Sequence, residues 1–127
     1  MRNIATAQRK AVKKALVIED DGEMGLLLNI LLDEKQWELD YVRDLLSAVD
    51  YLDKEEPSFV ILDNKLPDGF GVDFISYLKN KYPAIKIIMI SGFGSVRDVA
   101  LENGADVFLE KPFSKRSLYE SITEVVH

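Results

Sequence analysis

Residues able to do chemistry recur in this sequence directly after short apolar runs. Glu19, Asp20 and Asp21 follow the run 15–18, and Asp63, Asn64 and Lys65 follow the run 59–62. Ser91 and Gly92 follow the run 85–90, and Glu110, Lys111 and Pro112 follow the run 107–109. The chain has no cysteine and a single histidine, His127, at the last position. Thiol nucleophiles, thiolate zinc sites and Ser-His-Asp catalysis are thereby excluded. What remains is carboxylate, ammonium, hydroxyl, backbone and metal chemistry. Two carboxylates ~4 Å apart repel by about 4 kcal/mol at an effective dielectric near 20. Glu19, Asp20 and Asp63, once brought together, must therefore hold protons or a cation. Oxygen donors without His or Cys favour Mg²⁺ over zinc. Lys111 offsets part of the negative charge and can pair with a phosphate, and Ser91 adds a hydroxyl donor. Such a set suits phosphoryl transfer onto a carboxylate.

The elements that must position these residues are legible as alternating patterns. Apolar runs at 15–18, 39–42, 59–62, 85–90 and 107–109 read as strands, several of them apolar almost throughout, as in a parallel sheet covered on both faces. Between and after them, Met24, Leu27, Leu28 and Leu31 repeat at helical spacing. So do Leu45, Ala48, Val49 and Leu52; Phe74, Ile75 and Leu78; Val96, Val99 and Ala100; and Leu118, Ile122 and Val125. Pro67-Asp68-Gly69 marks a turn and Asn103-Gly104 a helix stop. Five β-α units in succession predict an α/β fold with right-handed crossovers and helices on both faces. Ligands of such a sheet sit beyond the carboxyl ends of the strands, where the residues above fall.

Acidic residues after the first strand, a lone Asp63 after the third with a Leu-Pro-Asp-Gly turn, Ser91 after the fourth and Lys-Pro-Phe after the fifth resemble a bacterial response-regulator receiver domain. The resemblance covers roughly residues 14–127. It implies a flavodoxin-like, doubly wound sheet of five parallel strands in the order 2-1-3-4-5, flanked by five helices. It also implies that Asp63 is the phosphoacceptor of a two-component phosphorelay, taking its phosphoryl group from a sensor histidine kinase or phosphotransfer protein. Glu19 and Asp20 match the acidic pair, with Asp20 a direct Mg²⁺ ligand beside Asp63 and the backbone carbonyl of Lys65. Ser91 matches the switch hydroxyl, Lys111 the lysine that pairs with the phosphoryl group, Phe108 the switch aromatic and Pro112 the cis-proline. The side chain of Lys65, two residues beyond the phosphoacceptor, is expected near the phosphoryl group, where it tunes that group's lifetime. The interval from Ser91 to Lys111 is slightly shorter than the family's, implying a trimmed fourth helix. Gly25 stands where many relatives keep a polar or charged residue.

Plainer readings accompany several of these residues. Asp21 reads as a helix cap, Asp68 and Asp73 as turn and helix-start residues, and Lys115 and Arg116 as solvated. Trp37 and Tyr41 read as packing at the second strand. A flavodoxin-type cofactor binder needs bare backbone N–H groups after the first strand, and Glu19-Asp20-Asp21 would repel its phosphate. An aspartate-nucleophile phosphatase calls for a second Asp where Lys65 stands. The receiver is thus expected to signal, without enzymatic turnover beyond its own phosphorylation and dephosphorylation.

The 127 residues suit one domain, and 47% hydrophobic with 30% charged residues is globular composition. The net charge of −6 is uneven. Residues 1–14 carry Arg2, Arg9, Lys10, Lys13 and Lys14 and no acid, which leaves −11 for residues 15–127. So acidic a domain disfavours nucleic acid. Residues 1–13 read as a basic leader or linker remnant and 14–127 as the receiver. With no signal-peptide core and no stretch near the ~20 apolar residues of a membrane span, a cytoplasmic location is expected. The chain reads as a monomer or weak homodimer, and as either a single-domain regulator or one piece of a larger one.

Overall fold

Alternating side-chain direction along five apolar runs gives the sheet two covered faces. A computed structural model describes residues 13–126; the basic stretch before Lys13, read as a leader, and His127 lie outside the described residues. The strands are β1 (Lys13–Ile18), β2 (Trp37–Val42), β3 (Phe59–Asp63), β4 (Lys86–Ser91) and β5 (Val107–Glu110). They pair in parallel in the order β2-β1-β3-β4-β5, the order expected from the resemblance. The helices are α1 (Gly22–Glu34), α2 (Leu45–Leu52), α3 (Gly71–Lys81), α4 (Arg97–Asn103) and α5 (Lys115–Val126). A small antiparallel hairpin, Lys65–Leu66 with Gly69–Phe70, connects β3 to α3.

The period of two along the strands sorts the core into two layers. Ala15, Val17, Phe59, Ile61, Ile88 and Ile90 point to the face where α1 and α5 bring Leu28, Leu31, Leu32, Leu118, Ile122 and Val125. Leu16, Ile18, Val60, Leu62, Ile87 and Met89 point to the other, against Ala48, Leu52, Phe74, Ile75, Leu78 and Ala100 of α2, α3 and α4. Each fully buried Leu or Ile contributes about 1.5–3 kcal/mol, so both layers hold the sheet between its helices.

Polar side chains hold the helix starts. Asp21 caps α1, its Oδ1 accepting from Glu23 N–H at 2.9 Å, as expected of it. Asp44 caps α2 by accepting from Ser47 N–H at 2.7 Å. Asp68 does more than turn the chain: its two carboxylate oxygens accept from the N–H groups of Leu45 and Leu46 at 2.9 and 3.0 Å, fixing the hairpin to α2. Helix α3 is preceded by Phe70, whose side chain caps nothing, and Asn64 Oδ1 supplies a cap by accepting from Val72 N–H at 3.0 Å.

Three details differ from the sequence pattern. Strand β1 starts at Lys13, inside the stretch read as leader, because β2 starts early at Trp37 and Lys13 pairs with it. Leu27 is 43% exposed while Leu28, Leu31 and Leu32 are buried. Leu26, Leu27 and Ile30 all face outward, so apolar residues surround α1 and periodicity alone selects the wrong edge of the stripe. Val99 is exposed too, because a 3₁₀ turn at Gly94–Val96 delays the start of α4 and rotates its face. The helix that remains has seven residues, the short fourth helix the sequence interval implies.

Candidate functional site

Strands β1, β3 and β5 end at one edge of the sheet and deliver Glu19, Asp63 and Lys111 to a common point. Lys111 Nζ lies 2.9 Å from Asp63 Oδ1 and donates to Glu19 Oε1 at 3.3 Å. Both carboxylates are buried, and the ammonium closes over them as the only cation touching either among the described residues. Burial is the main cause that lifts the Glu19 carboxyl above the usual carboxylate range. The N–H of Asp21, donating to Glu19 Oε2 at 3.1 Å, counters it, while the charge of Asp63 reinforces it. For Lys111, burial opposes the charge, but the contacts with Asp63 and then Glu19 outweigh it and hold the ammonium above the ordinary lysine value.

The backbone under this cluster is fixed. Glu19 N–H donates to Val42 O at 3.1 Å, and Lys111 N–H donates to Ser91 O at 2.8 Å. Gly71 N–H donates to Asn64 O at 2.7 Å. A side chain at Gly71 would drive its Cβ into the carbonyl oxygen of Asp63 and against Leu62. Gly71 and Asn64 thus set the position of Asp63 although neither carries a reacting group. Asn64 stands next to Asp63 in the sequence, whereas nothing in the pattern singles out Gly71 from the glycines of a turn.

Ser91 is buried at the end of β4, and its Oγ accepts from Phe93 N–H at 3.1 Å. Phe108 sits half-buried on β5 against the layer of α2, α3 and α4. The Lys111–Pro112 peptide is cis. Lys65 is exposed, and its Nζ lies 4.5 Å from the centre of the Phe93 ring, on the next loop, a contact the sequence does not announce. Tyr41 packs its ring over Gly25, where a Cβ would meet that ring at 2.7 Å, which explains the glycine in place of a polar residue.

The expected triad of carboxylates is only partly assembled. Asp20, half-exposed, has Arg43 beside it: Arg43 Nη2 donates to Asp20 O at 3.0 Å and lies 3.6 Å from Asp20 Oδ1. No group of three or more acidic or histidine side chains converges as a metal site among the described residues. The donor chemistry still fits Mg²⁺. Glu19, Asp20 and Asp63 offer hard oxygens, and Lys111 neutralises only one of the two buried carboxylates.

Comparison with known proteins now agrees with the geometry. Residues 15–123 match the response regulator receiver domain family, and the chain belongs to it. The chain is 31% identical over 118 residues to the phosphate regulon transcriptional regulatory protein PhoB of Escherichia coli, covering 90% of this chain and 52% of PhoB. It therefore spans about half the length of that relative. Its structure resembles a CheY-like receiver domain from Methanospirillum hungatei with a TM-score of 0.84 at 26% identity, covering 90% of this chain and 93% of that one. The beryllofluoride-activated NtrC4 receiver domain dimer gives the same TM-score at 30% identity, covering 90% and 96%. Receiver domains are signalling phosphoacceptors that interact with histidine kinases or phosphotransfer proteins and generally bind Mg²⁺ at the phosphorylation site. No helix among the described residues is long and apolar enough to cross a membrane.

Proposed function

We propose that Asp63 is the phosphoacceptor of this chain. The contact that carries the reading is the 2.9 Å approach of Lys111 Nζ to Asp63 Oδ1, at the end of the central strand and beside the buried carboxylate of Glu19. An Asp63 oxygen attacks the phosphorus of a phosphohistidine on a sensor kinase or phosphotransfer protein. The P–N bond breaks, its electron pair leaves with the imidazole, and an acyl phosphate forms on Asp63. Lys111 balances the added negative charge. Glu19, Asp20, Asp63 and the carbonyl of Lys65 would hold Mg²⁺, which when bound neutralises phosphoryl oxygens.

The response runs through Ser91. Its Oγ accepts a bond from Phe93 N–H, so the hydroxyl proton stays free to donate to a phosphoryl oxygen on Asp63. Turning Ser91 toward that oxygen releases the loop it holds, and the half-buried ring of Phe108 takes up the space behind it. Phosphorylation thereby supplies the differential contacts that shift a surface between two states. Lys65 tunes the lifetime of the acyl phosphate. The surface acts on a downstream partner or an attached output domain, in the cytoplasm. Incubation with acetyl phosphate and Mg²⁺ adds one phosphate, read by intact-protein mass, and Asp63→Ala abolishes the addition. Persistent labelling of Asp63→Ala would overturn the assignment.

A further inference from the structure

Arg43 has no part in the reading above, yet it is the cation that Asp20 touches. It follows β2, whose end is locked beside Asp20 by the bond from Glu19 N–H to Val42 O. The next residue, Asp44, is committed to capping α2. The guanidinium thus emerges between two fixed segments. One nitrogen, Nη2, engages Asp20 twice, donating to its carbonyl oxygen at 3.0 Å and lying 3.6 Å from its carboxylate. The bond to the carbonyl anchors the guanidinium, and its charge faces the carboxylate without a hydrogen bond to it. Mg²⁺ demands near-ideal octahedral geometry from its ligands, so a carboxylate turned to Arg43 is unavailable to it.

We propose that Arg43 is a positioning residue that competes with Mg²⁺ for Asp20. Its charge holds the Asp20 carboxylate apart from Glu19 and Asp63. Metal binding requires Asp20 to leave the guanidinium. Arg43 therefore weakens the apparent affinity for Mg²⁺ and raises the concentration at which the site becomes competent. The inference rests on the proposed metal-binding role of Glu19, Asp20 and Asp63. It concerns an exposed side chain, 62% accessible, whose replacement leaves both core layers untouched.

Calorimetric titration of the full chain with MgCl₂, without phosphodonor, tests it. Arg43→Gln, which removes the charge and the anchored guanidinium, is expected to tighten Mg²⁺ binding about fivefold. Arg43→Lys, which keeps the charge but not the guanidinium bond to the Asp20 carbonyl, is expected to tighten it about twofold. In the parent chain, the ¹⁵N signals of the Arg43 guanidinium are expected to shift toward those of a free side chain with the calorimetric midpoint. Equal affinities in parent and Arg43→Gln overturn the inference, as do guanidinium signals that stay constant while the site fills. Tightening in Arg43→Gln with no change in Arg43→Lys reduces the effect to net charge and overturns the positioning role. A parent chain that binds no Mg²⁺ overturns the metal site and this inference with it. A parent that binds while the variants match it overturns the inference alone.

Discussion

Asp63 and Phe93 hang from neighbouring strands, β3 and β4, but they are held in opposite ways. Asp63 is buried, pinned by Lys111, and seated on a backbone that Asn64, Gly71 and Leu62 leave no room to move. Phe93 is 53% exposed, lies between Gly92 and Gly94, and keeps its place through its N–H on Ser91 Oγ, its carbonyl accepting from Val96 N–H, and one ammonium over its ring. The helix that follows, α4, buries only Ala100 and begins without a side-chain cap. On the proposed function, the chemistry lies on the buried half of the site edge and the response on the exposed half. Low local stability is what a segment needs if a single group transfer is to move it.

The largest effect is expected where the buried half is struck directly. Gly71→Ala forces a methyl into the carbonyl oxygen of Asp63, and relief requires the start of α3 or the end of β3 to shift. Overpacking of this kind costs about 3 kcal/mol. Urea unfolding should show that loss, and phosphorylation by acetyl phosphate should fall with it, because Asp63 no longer meets Lys111. A Gly71→Ala chain with parental stability and labelling would mean that the floor of the site yields as easily as its exposed side, and the contrast would be broken.

Next in size is the tether of the hairpin that carries Lys65. Asp68 binds the N–H groups of Leu45 and Leu46, and these bonds hold its carboxyl below the usual aspartate range. A carboxyl lowered by folding contributes stability above its ordinary range, and that contribution fades as pH falls through the folded value. Asp68→Ala is expected to lower Tm by about 3 °C at pH 7, as loss of a helix cap does. The difference from the parent should shrink as pH drops beneath the ordinary aspartate range. A difference that stays constant with pH would assign the effect to the turn itself.

These residues show what a sequence displays and what it conceals. The strands, the two covered faces and the meeting of Glu19, Asp63 and Lys111 follow from alternation and from chemistry placed at strand ends, because both are periodic or local signals, whereas the strand order follows from the family resemblance. Arg43 on Asp20, Lys65 on Phe93 and Gly71 under Asp63 are not legible in that way. The first two are meetings of exposed side chains across loops, with no period to announce them. The third is a steric demand on an absent side chain. Leu27 and Val99, read from spacing as part of the inward stripes, are exposed for a different reason: an all-round apolar helix and a 3₁₀ start leave the inward face undetermined by spacing.

The smallest change in stability and the sharpest test of the contrast come from Lys65. Its ammonium over the exposed ring of Phe93 is worth about 0.5–1 kcal/mol at most, so Lys65→Ala should leave urea unfolding nearly unchanged. The phosphoryl lifetime is expected to respond instead. An acyl phosphate on Asp63 adds about two negative charges two residues from Lys65, and the ammonium can exchange the ring for those oxygens. Lys65→Ala removes that partner and opens a path for water, shortening the half-life about threefold, an assigned effect of about 0.7 kcal/mol. Phe93→Ala should act with the opposite sign, since a lysine freed from the ring is more available to the phosphoryl group. Half-lives of the labelled chains at fixed Mg²⁺ decide the matter. An unchanged half-life in Lys65→Ala removes lysine from lifetime control. A change of the same sign in both variants would instead mean that ring and ammonium act together as a cover over Asp63, which would place part of the buried half's protection on the exposed one.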